Sequence, residues 1–336
     1  MKLNREKVLN ELEVVQSGLS QKEILEQSSC FILRKGKVHT FNDEVSCVYS
    51  SCLAKSGIEG AVPSVPLLQL LQRMKEEEIT VEQTKSQLVV KGKNKKAGIK
   101  FYKEVMLPID IIPPTKQWRP IGKGFQEGAS LVSACTSKDA SKFVLTCIHI
   151  TPTFVEACDR HQIARFETKT GFKGSALIRK ESLLKVLEIE PTMYGETKSW
   201  VWFRNSSGVM IAVRISKDDY PDLNEILSTR GQPSVLPKGL GESIEKAEVF
   251  SVDNASNNSI KIHLKKNTIL LRGEGELGWY EEKKRAKYQG KEISFSISPR
   301  LLKDIMSQHN ECEITQNILR IATGKYVYAT SLGEAH

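Results

Sequence analysis

The sequence predicts an α+β protein made of three tandem copies of one domain, each copy a helix followed by three strands, given twice over. Three observations lead there. The apolar period switches repeatedly between the 3.6-residue spacing of a helix and the two-residue spacing of a strand. Adjacent-leucine pairs in the second helix of each copy begin at 67, 183 and 301, so they lie 116 and 118 residues apart. The first strands after the first helices, at Phe31, Cys147 and Ile260, lie 116 and 113 apart. A repeat of about 115 residues far exceeds the 20–50 of solenoid arrays. It therefore describes whole domains, at 1–115, 116–229 and 230–336.

The elements follow in order. Residues 4–19 carry Val8, Leu9, Leu12, Val15 and Leu19 at helical spacing. Strand-like runs come at 31–33, 38–41 and 45–51. A second helix is expected after Ser64 as N-cap, with Pro66 in its first turn and Leu67, Leu68, Leu70 and Leu71 along it. Period-two runs return at Ile79 and Val81, at Leu88 to Val90, and at Ile99 and Phe101. The Pro- and Gly-rich stretch 103–124 reads as a linker or crossover. A short helix at 125–137 and a loop at 137–141 open the second copy.

The clearest strand pair in the chain follows at 142–168. Val144, Cys147, Ile148 and Ile150 meet Thr151-Pro152, Phe154, Val155 and Ala157 come next, and Asp159-Arg160-His161 turns into Ile163, Ala164 and Phe166. A strand at 175–178, a helix carrying Leu183, Leu184, Val186 and Leu187, and strands at 200–203 and 209–215 complete the copy. A second break spans 217–241. The third copy repeats the order: helix 244–252, loop 253–258, strands 260–264, 268–271 and 293–297, helix 299–306, and final strands at 312–315 and 318–329.

Composition narrows the function classes. The chain is 40% hydrophobic and 26% charged, and no window approaches the roughly 18 apolar residues that span a bilayer. The charged, helical start MKLNREKVLNEL has no apolar h-region, so a cytosolic location is expected. Seven cysteines without a C-x-x-C fall mostly in apolar runs and read as reduced core residues, and no metal or cofactor is expected. Lysine and arginine outnumber aspartate and glutamate by 49 to 40, which favours a polyanionic partner over a merely solvated basic surface.

Local motifs argue against an enzyme. Gly273, Gly275 and Gly278 match G-x-G-x-x-G after a strand, but Glu274 and Glu276 would repel a pyrophosphate and no apolar-faced helix follows. A glycine-rich hairpin loop accounts for them better. Cys158, Asp159 and His161 are neighbours in sequence, yet neighbours in a strand turn point in different directions. They read as polar corner residues rather than as a nucleophile or metal site. Basic residues are more informative. Arg5, Lys22, Arg73, Lys138, Lys142, Lys185, Lys246 and Lys303 recur on or beside predicted helices. If the six helices shared one surface it would be positive, suited to phosphate contacts that ignore base sequence.

Over essentially its whole length the chain resembles the bacterial-type DNA sliding clamp, the beta subunit of DNA polymerase III, in a divergent form, bacterial or phage-encoded. The resemblance rests on the three tandem repeats and on ACDRHQIA at 157–164, where that family has an A-T-D-G-x-R-L-A-like corner. Tyr220-Pro221-Asp222 entering the second break and the Tyr326-Val327-Tyr328 strand with its short tail complete it. It implies a head-to-tail homodimeric ring with helices lining the hole. Twelve helices, each roughly 10 Å across, leave an opening near 28 Å, wider than a duplex of about 20 Å. It also implies a DNA polymerase processivity factor without enzymatic activity. The partners would be double-stranded DNA held without regard to sequence, a DNA polymerase and an ATP-dependent clamp loader. A DNA-binding scaffold that never closes is the alternative.

Carried over by position, the partner-peptide pocket would use Val144, Arg160, His161, Ile163, Pro221, Ile226, Val327 and Ala329. The dimer seam would set Ile99, Phe101 and Tyr102 against a helix carrying Val249 and Phe250. Arg160 stands where the family has glycine, Gln162 where it has arginine, and Ala329-Thr330-Ser331 where it has a Met-Pro-Met-like ending, which implies a shallower or differently selective pocket.

Overall fold

The computed structural model describes all residues except Ile24, 112–114, 252–257 and His336. Part of the expected linker, the end of the helix expected at 244–252 and most of the loop expected at 253–258 thus lie outside the described residues. The chain divides into two compact units, one of 1–126, 147–152 and 169–218, the other of 127–146, 153–168 and 219–336.

The first unit begins with β1 (Lys2–Asn4) and α1 (Arg5–Glu13). Asn4 caps α1 by accepting from Lys7 N at 2.8 Å, and Val8 and Leu12 face inward. The helix is shorter than expected because the chain tightens into a 3₁₀ turn at Gln16–Gly18. Strands β2 (Cys30–Arg34), β3 (Lys37–Phe41) and β4 (Val45–Ser50) lie close to their expected bounds. They are followed by α2 (Cys52–Lys55), β5 (Gly60–Pro63) and α3 (Ser64–Arg73). The N-cap of α3 is Pro63, not Ser64; the Ser64 hydroxyl donates instead to the Ser29 carbonyl at 2.6 Å. β6 (Glu78–Gln83), β7 (Gln87–Lys91) and β8 (Lys96–Lys100) close the first repeat.

The same unit holds β9 (Arg119–Pro120), β10 (Cys147–Ile150), β13 (Ala176–Arg179), α5 (Lys180–Glu188), β14 (Met193–Glu196), β15 (Trp200–Arg204) and β16 (Met210–Arg214). One sheet runs β1-β6-β7-β8 and an eight-stranded sheet runs β5-β2-β3-β4-β16-β15-β14-β9. Cys30, Ile32, Phe41, Trp200 and Trp202 belong to one buried apolar cluster in it. Phe172 stacks on Tyr194 at 4.3 Å between ring centres and on Phe125 at 5.6 Å.

The second unit contains most of α4 (Phe125–Val132), then β11 (Phe154–Cys158), β12 (Gln162–Glu167), α6 (Asn224–Ser228), β17 (Gln232–Val235) and α7 (Leu240–Glu248). β18 (Ile260–Lys265), β19 (Thr268–Gly275), β20 (Gly278–Arg285), β21 (Lys287–Tyr288), β22 (Ile293–Ile297), α8 (Pro299–Gln308), β23 (Glu311–Ile314), β24 (Ile318–Thr323) and β25 (Tyr326–Ser331) follow. The run expected as one strand at 318–329 is a hairpin, turned at Gly324 with φ 56°. The Gly273–Gly278 motif is likewise a hairpin: Gly275 pairs with Gly278 across a two-residue turn. Gly273 is required for packing, since a Cβ there would meet the Ala247 carbonyl oxygen at 2.0 Å.

The repeat recurs as a pairing register. Cys30 pairs with Pro63, Cys147 with Arg179 and Ile260 with Ile297, so the residue at or just before the end of the strand preceding each second helix pairs with the start of the repeat's first strand. A second recurrence joins repeats. β4, the third strand of the first repeat, pairs antiparallel with β16, the last strand of the second (Val48↔Met210). β12 pairs in the same way with β25 (Ile163↔Ala329). The remaining members of the two classes, β8 and β20, stand at the ends of their four-stranded sheets.

Candidate functional site

In the second unit a cleft of about 380 Å³ lies beside the β11–β12 corner. The corner needs no glycine. Asp159 Oδ1 accepts from the backbone N–H groups of His161 (2.6 Å) and Gln162 (2.7 Å), and Asp159 N–H donates to the Gln162 carbonyl at 2.9 Å. Arg160 sits at the tip with an ordinary negative φ, so the arginine is unstrained there. Its guanidinium reaches Asp139 at 3.3 Å with both side chains about half exposed, a weak tether. Hydrogen bonds from Ser141, and after them the charge of Arg160, hold the Asp139 carboxyl below its usual range.

The tail strand is fastened to this corner. The His161 carbonyl accepts from Ser331 N–H at 2.8 Å and from the Thr330 hydroxyl at 3.0 Å, and the Tyr328 hydroxyl donates to Gln162 Oε1 at 2.9 Å. The opposite wall is 221–226, where Pro221 and Ile226 are exposed. The floor is apolar: Cys158, Ile163, Leu223, Leu227 and Ala329 form one buried cluster, against which Leu145, Tyr220, Ile318 and Val327 pack.

Arg160, His161, Ile163, Pro221, Ile226 and Ala329 thus line one cleft. Two expected lining residues do not. Val144 gives way to Leu145, because 140–146 is a 3₁₀ segment (Ala140–Thr146) rather than the start of a strand, which shifts the inward position by one. Val327 packs against the cluster beneath the cleft instead of lining it. Leu223 and Leu227 were missed, although their i, i+4 spacing with Ile226 between them is a one-face helical signal.

The chemistry of the corner is that of a binding wall. Burial pushes the Cys158 thiol up from its ordinary value although the Tyr220 hydroxyl donates to it at 3.3 Å, so it is no thiolate. Asp159 is occupied by backbone donors. Among the described residues there is no group of three or more His, Cys, Asp or Glu side chains placed to hold a metal ion. A second cavity of about 1060 Å³ adjoins the other side of the corner, between Leu131 and Cys135 on one wall and Arg300, Leu301 and Ile305 of α8 on the other. Asp159, Arg160, His161 and Gln162 line both.

The expected DNA contacts divide. Arg5 donates to the carbonyls of Glu76 (3.0 Å) and Leu71 (3.2 Å), Lys185 to that of Ser17 (2.8 Å), and Lys303 pairs with Glu248 (2.8 Å). Lys22, Arg73, Lys138, Lys142 and Lys246 are exposed. The helices α1, α3, α4, α5, α7 and α8 together carry eight basic and ten acidic residues, while Lys22, Lys138 and Lys142 lie in the segments beside them. The positive excess is found elsewhere, most densely at 85–103, which has seven lysines and no acidic residue.

At the expected seam, Ile99 and Phe101 are buried within their own unit, and Tyr102 exchanges backbone hydrogen bonds with Ala61 (2.9 and 2.7 Å). Val249 is 71% exposed, as the residue following α7, and Phe250 is half-buried. The side chains expected at 99 and 101 therefore face inward, and what β8 offers outward is its backbone edge.

No family model matches the chain, and no curated protein matches it. Solved structures do. The DNA polymerase sliding clamp of Bacillus subtilis superposes with a TM-score of 0.84 at 13% identity, over 100% of this chain and 99% of that one. The chain has the sliding-clamp fold. The DNA polymerase III beta subunit of Pseudomonas aeruginosa gives 0.82 at 13% identity with full coverage of both chains. A sliding clamp from Bartonella birtlesii bound to griselimycin gives 0.85 at 12% identity, covering 100% and 99%. On the clamp fold, the two repeat-joining pairs and the cleft between β12, β25 and α6 are features of one chain.

Proposed function

We propose that the chain is a DNA polymerase processivity clamp: a homodimeric ring that encircles duplex DNA and holds a polymerase through the cleft at 159–163, 221–226 and 329. The observation that carries this reading is the repeated joining of third strand to last strand, β4 to β16 and β12 to β25. Continued once more, it sets β20 of one copy against β8 of another, and two copies then leave no third-strand or last-strand edge unpaired. The seam on this reading is strand to strand, with the lysine-rich 85–103 hairpin beside a β19–β20 hairpin that carries Glu274, Glu276, Glu281 and Glu282. Three domains per chain, divided at 115/116 and 229/230, follow from the same repeat.

The ring acts by enclosure and performs no reaction, so it needs no cofactor. Duplex DNA meets Lys22, Arg73, Lys138, Lys142 and Lys246 as point charges, without base readout. The apolar cleft floor with a polar rim suits a short apolar peptide of the polymerase or of an ATP-dependent clamp loader. We place the binding of griselimycin in the same cleft. Work of this kind is done in the cytoplasm, on the nucleoid or, for a phage protein, in the host. No described helix is long and apolar enough to cross a membrane.

One experiment tests enclosure. The protein is loaded by a clamp loader on nicked circular DNA, and the DNA is then linearised. A closed ring leaves over the free ends at low salt; retention on linear DNA refutes the ring and points to an open scaffold.

A further inference from the structure

We infer that Arg165 and Arg320 are positioning residues that fix one wall of the cleft by gripping α6 from both ends; the inference rests on the cleft being the partner site. A helix of five residues has no stability of its own, so α6 stands where other elements hold it. Its N-cap residue, Leu223, makes no side-chain bond, and the local hold on its start is Asp222 Oδ1, which accepts from Asn224 N–H at 2.9 Å. Two arginines supply the hold from other elements. Arg165 Nη1 donates to Asn224 Oδ1 at 2.8 Å, in the first turn. Arg320 Nε donates to the Leu227 carbonyl at 2.9 Å, near the other end.

Sheet register makes the pair a bracket. β25 lies between β12 and β24; Arg165 pairs with Val327 and Arg320 with Ala329. Residues directly opposite one another, and residues two apart along a strand, share a face. Arg165, Val327, Ala329 and Arg320 therefore share the face that α6 covers. Each arginine is itself braced. Arg165 is ion-paired to the buried Glu156 at 2.6 Å and lies over the Phe154 ring at 4.1 Å; Arg320, its side chain 5% exposed, pairs with Glu313 at 3.1 Å. Neither lines the cleft. A buried guanidinium is a costly way to fill space, but its rigid fork holds a carboxylate and a carbonyl at fixed angles, which an apolar residue cannot do and a lysine does less firmly.

The test uses the full-length protein labelled at isoleucine methyl groups, with Ile226 assigned through Ile226→Val and Ile262 of β18 as a remote control. In Arg320→Met and in the milder Asn224→Ala, the Ile226 signal is expected to shift or split while Ile262 stays in place. Griselimycin, the probe, should bind on the order of tenfold more weakly, through faster dissociation. Arg320→Lys should recover part of both effects. An Ile226 signal at its wild-type position in both variants overturns the bracket, as does a displaced Ile226 with wild-type affinity. Wild-type protein that fails to bind griselimycin overturns the underlying assignment of the cleft instead, and the methyl spectra, which need no ligand, tell the two failures apart.

Discussion

Ile226 offers the most direct probe of the cleft, because it belongs to the binding wall without belonging to the core. It is 42% exposed in the free chain, whereas its neighbour Leu227 is 6% exposed. Fully burying an isoleucine is worth about 1.5–3 kcal/mol, so covering the exposed part with a ligand contributes roughly 1 kcal/mol. Ile226→Ala should then weaken griselimycin or a partner peptide about fivefold. Ile226→Asp adds an ionised carboxylate pressed against an apolar ligand, which raises the loss to about 3 kcal/mol, two orders of magnitude in affinity. The cost to folding is confined to contacts the side chain makes on one flank, about 1 kcal/mol. Calorimetric titration should therefore show weak or absent binding by Ile226→Asp, and polymerase assays on primed circular DNA should show lost stimulation, while light scattering gives the wild-type mass. A folded Ile226→Asp protein that stimulates the polymerase as wild type does would refute the assignment of the cleft.

Other expectations are more local. Lys96→Glu with Lys100→Glu should weaken the strand-to-strand seam, so that the light-scattering mass falls to one chain of 37.7 kDa, with recovery on adding Glu281→Lys and Glu282→Lys; an unchanged mass refutes the β8–β20 seam. Burial, and after it the charges of Lys37 and Arg34, hold the His39 imidazole at about 4 rather than 6.5. Below 6.5 the unfolded chain takes up a proton that the folded chain refuses, so stability falls as pH drops from about 6.5 to 4, by at most about 3 kcal/mol. Denaturant titration of His39→Gln should show a flatter pH profile. Gly273→Ala should lower the melting temperature, since its Cβ has to displace the carbonyl of Ala247 at a cost of about 1–3 kcal/mol. Gly241→Ala, where nothing lies within 4 Å, should be neutral or stabilising.

Strands with one or both faces buried were legible. The run of buried residues in β2 and the alternation in β6 and β18 placed those strands within a residue or two, and the leucine pairs fixed α3, α5 and α8. The strands that were missed lack an apolar face of that length. β20 alternates between half-buried and exposed along GWYEEKKR, which carries no apolar period, and it is a strand because β19 pairs with it over its whole length. β17 begins QP and depends on β23, distant in sequence, while β14 is only four residues long and is a strand because it pairs with the neighbouring β15. At the cleft, Arg160, His161, Ile163, Pro221, Ile226 and Ala329 come together as expected, whereas Val327, although on β25, packs beneath. Val144 failed because a 3₁₀ segment occupies the place of an expected strand. The engagement of Arg5, Lys185 and Lys303 by backbone carbonyls or a glutamate could not be read from sequence at all, since those contacts join residues 55 to 168 positions apart.

An edge of one kind that pairs with an edge of another kind contains no stop. The β4–β16 and β12–β25 joints add repeats in one direction, and nothing in a single joint counts them. Whether such a series ends as a circle or winds on as a fibre depends on the turn made at each joint. A small change of twist at β8 or β20, from a bulge or a proline, would then alter the product of assembly without weakening any single contact. The length distribution of the assemblies formed by such variants would serve as a goniometer for the joint.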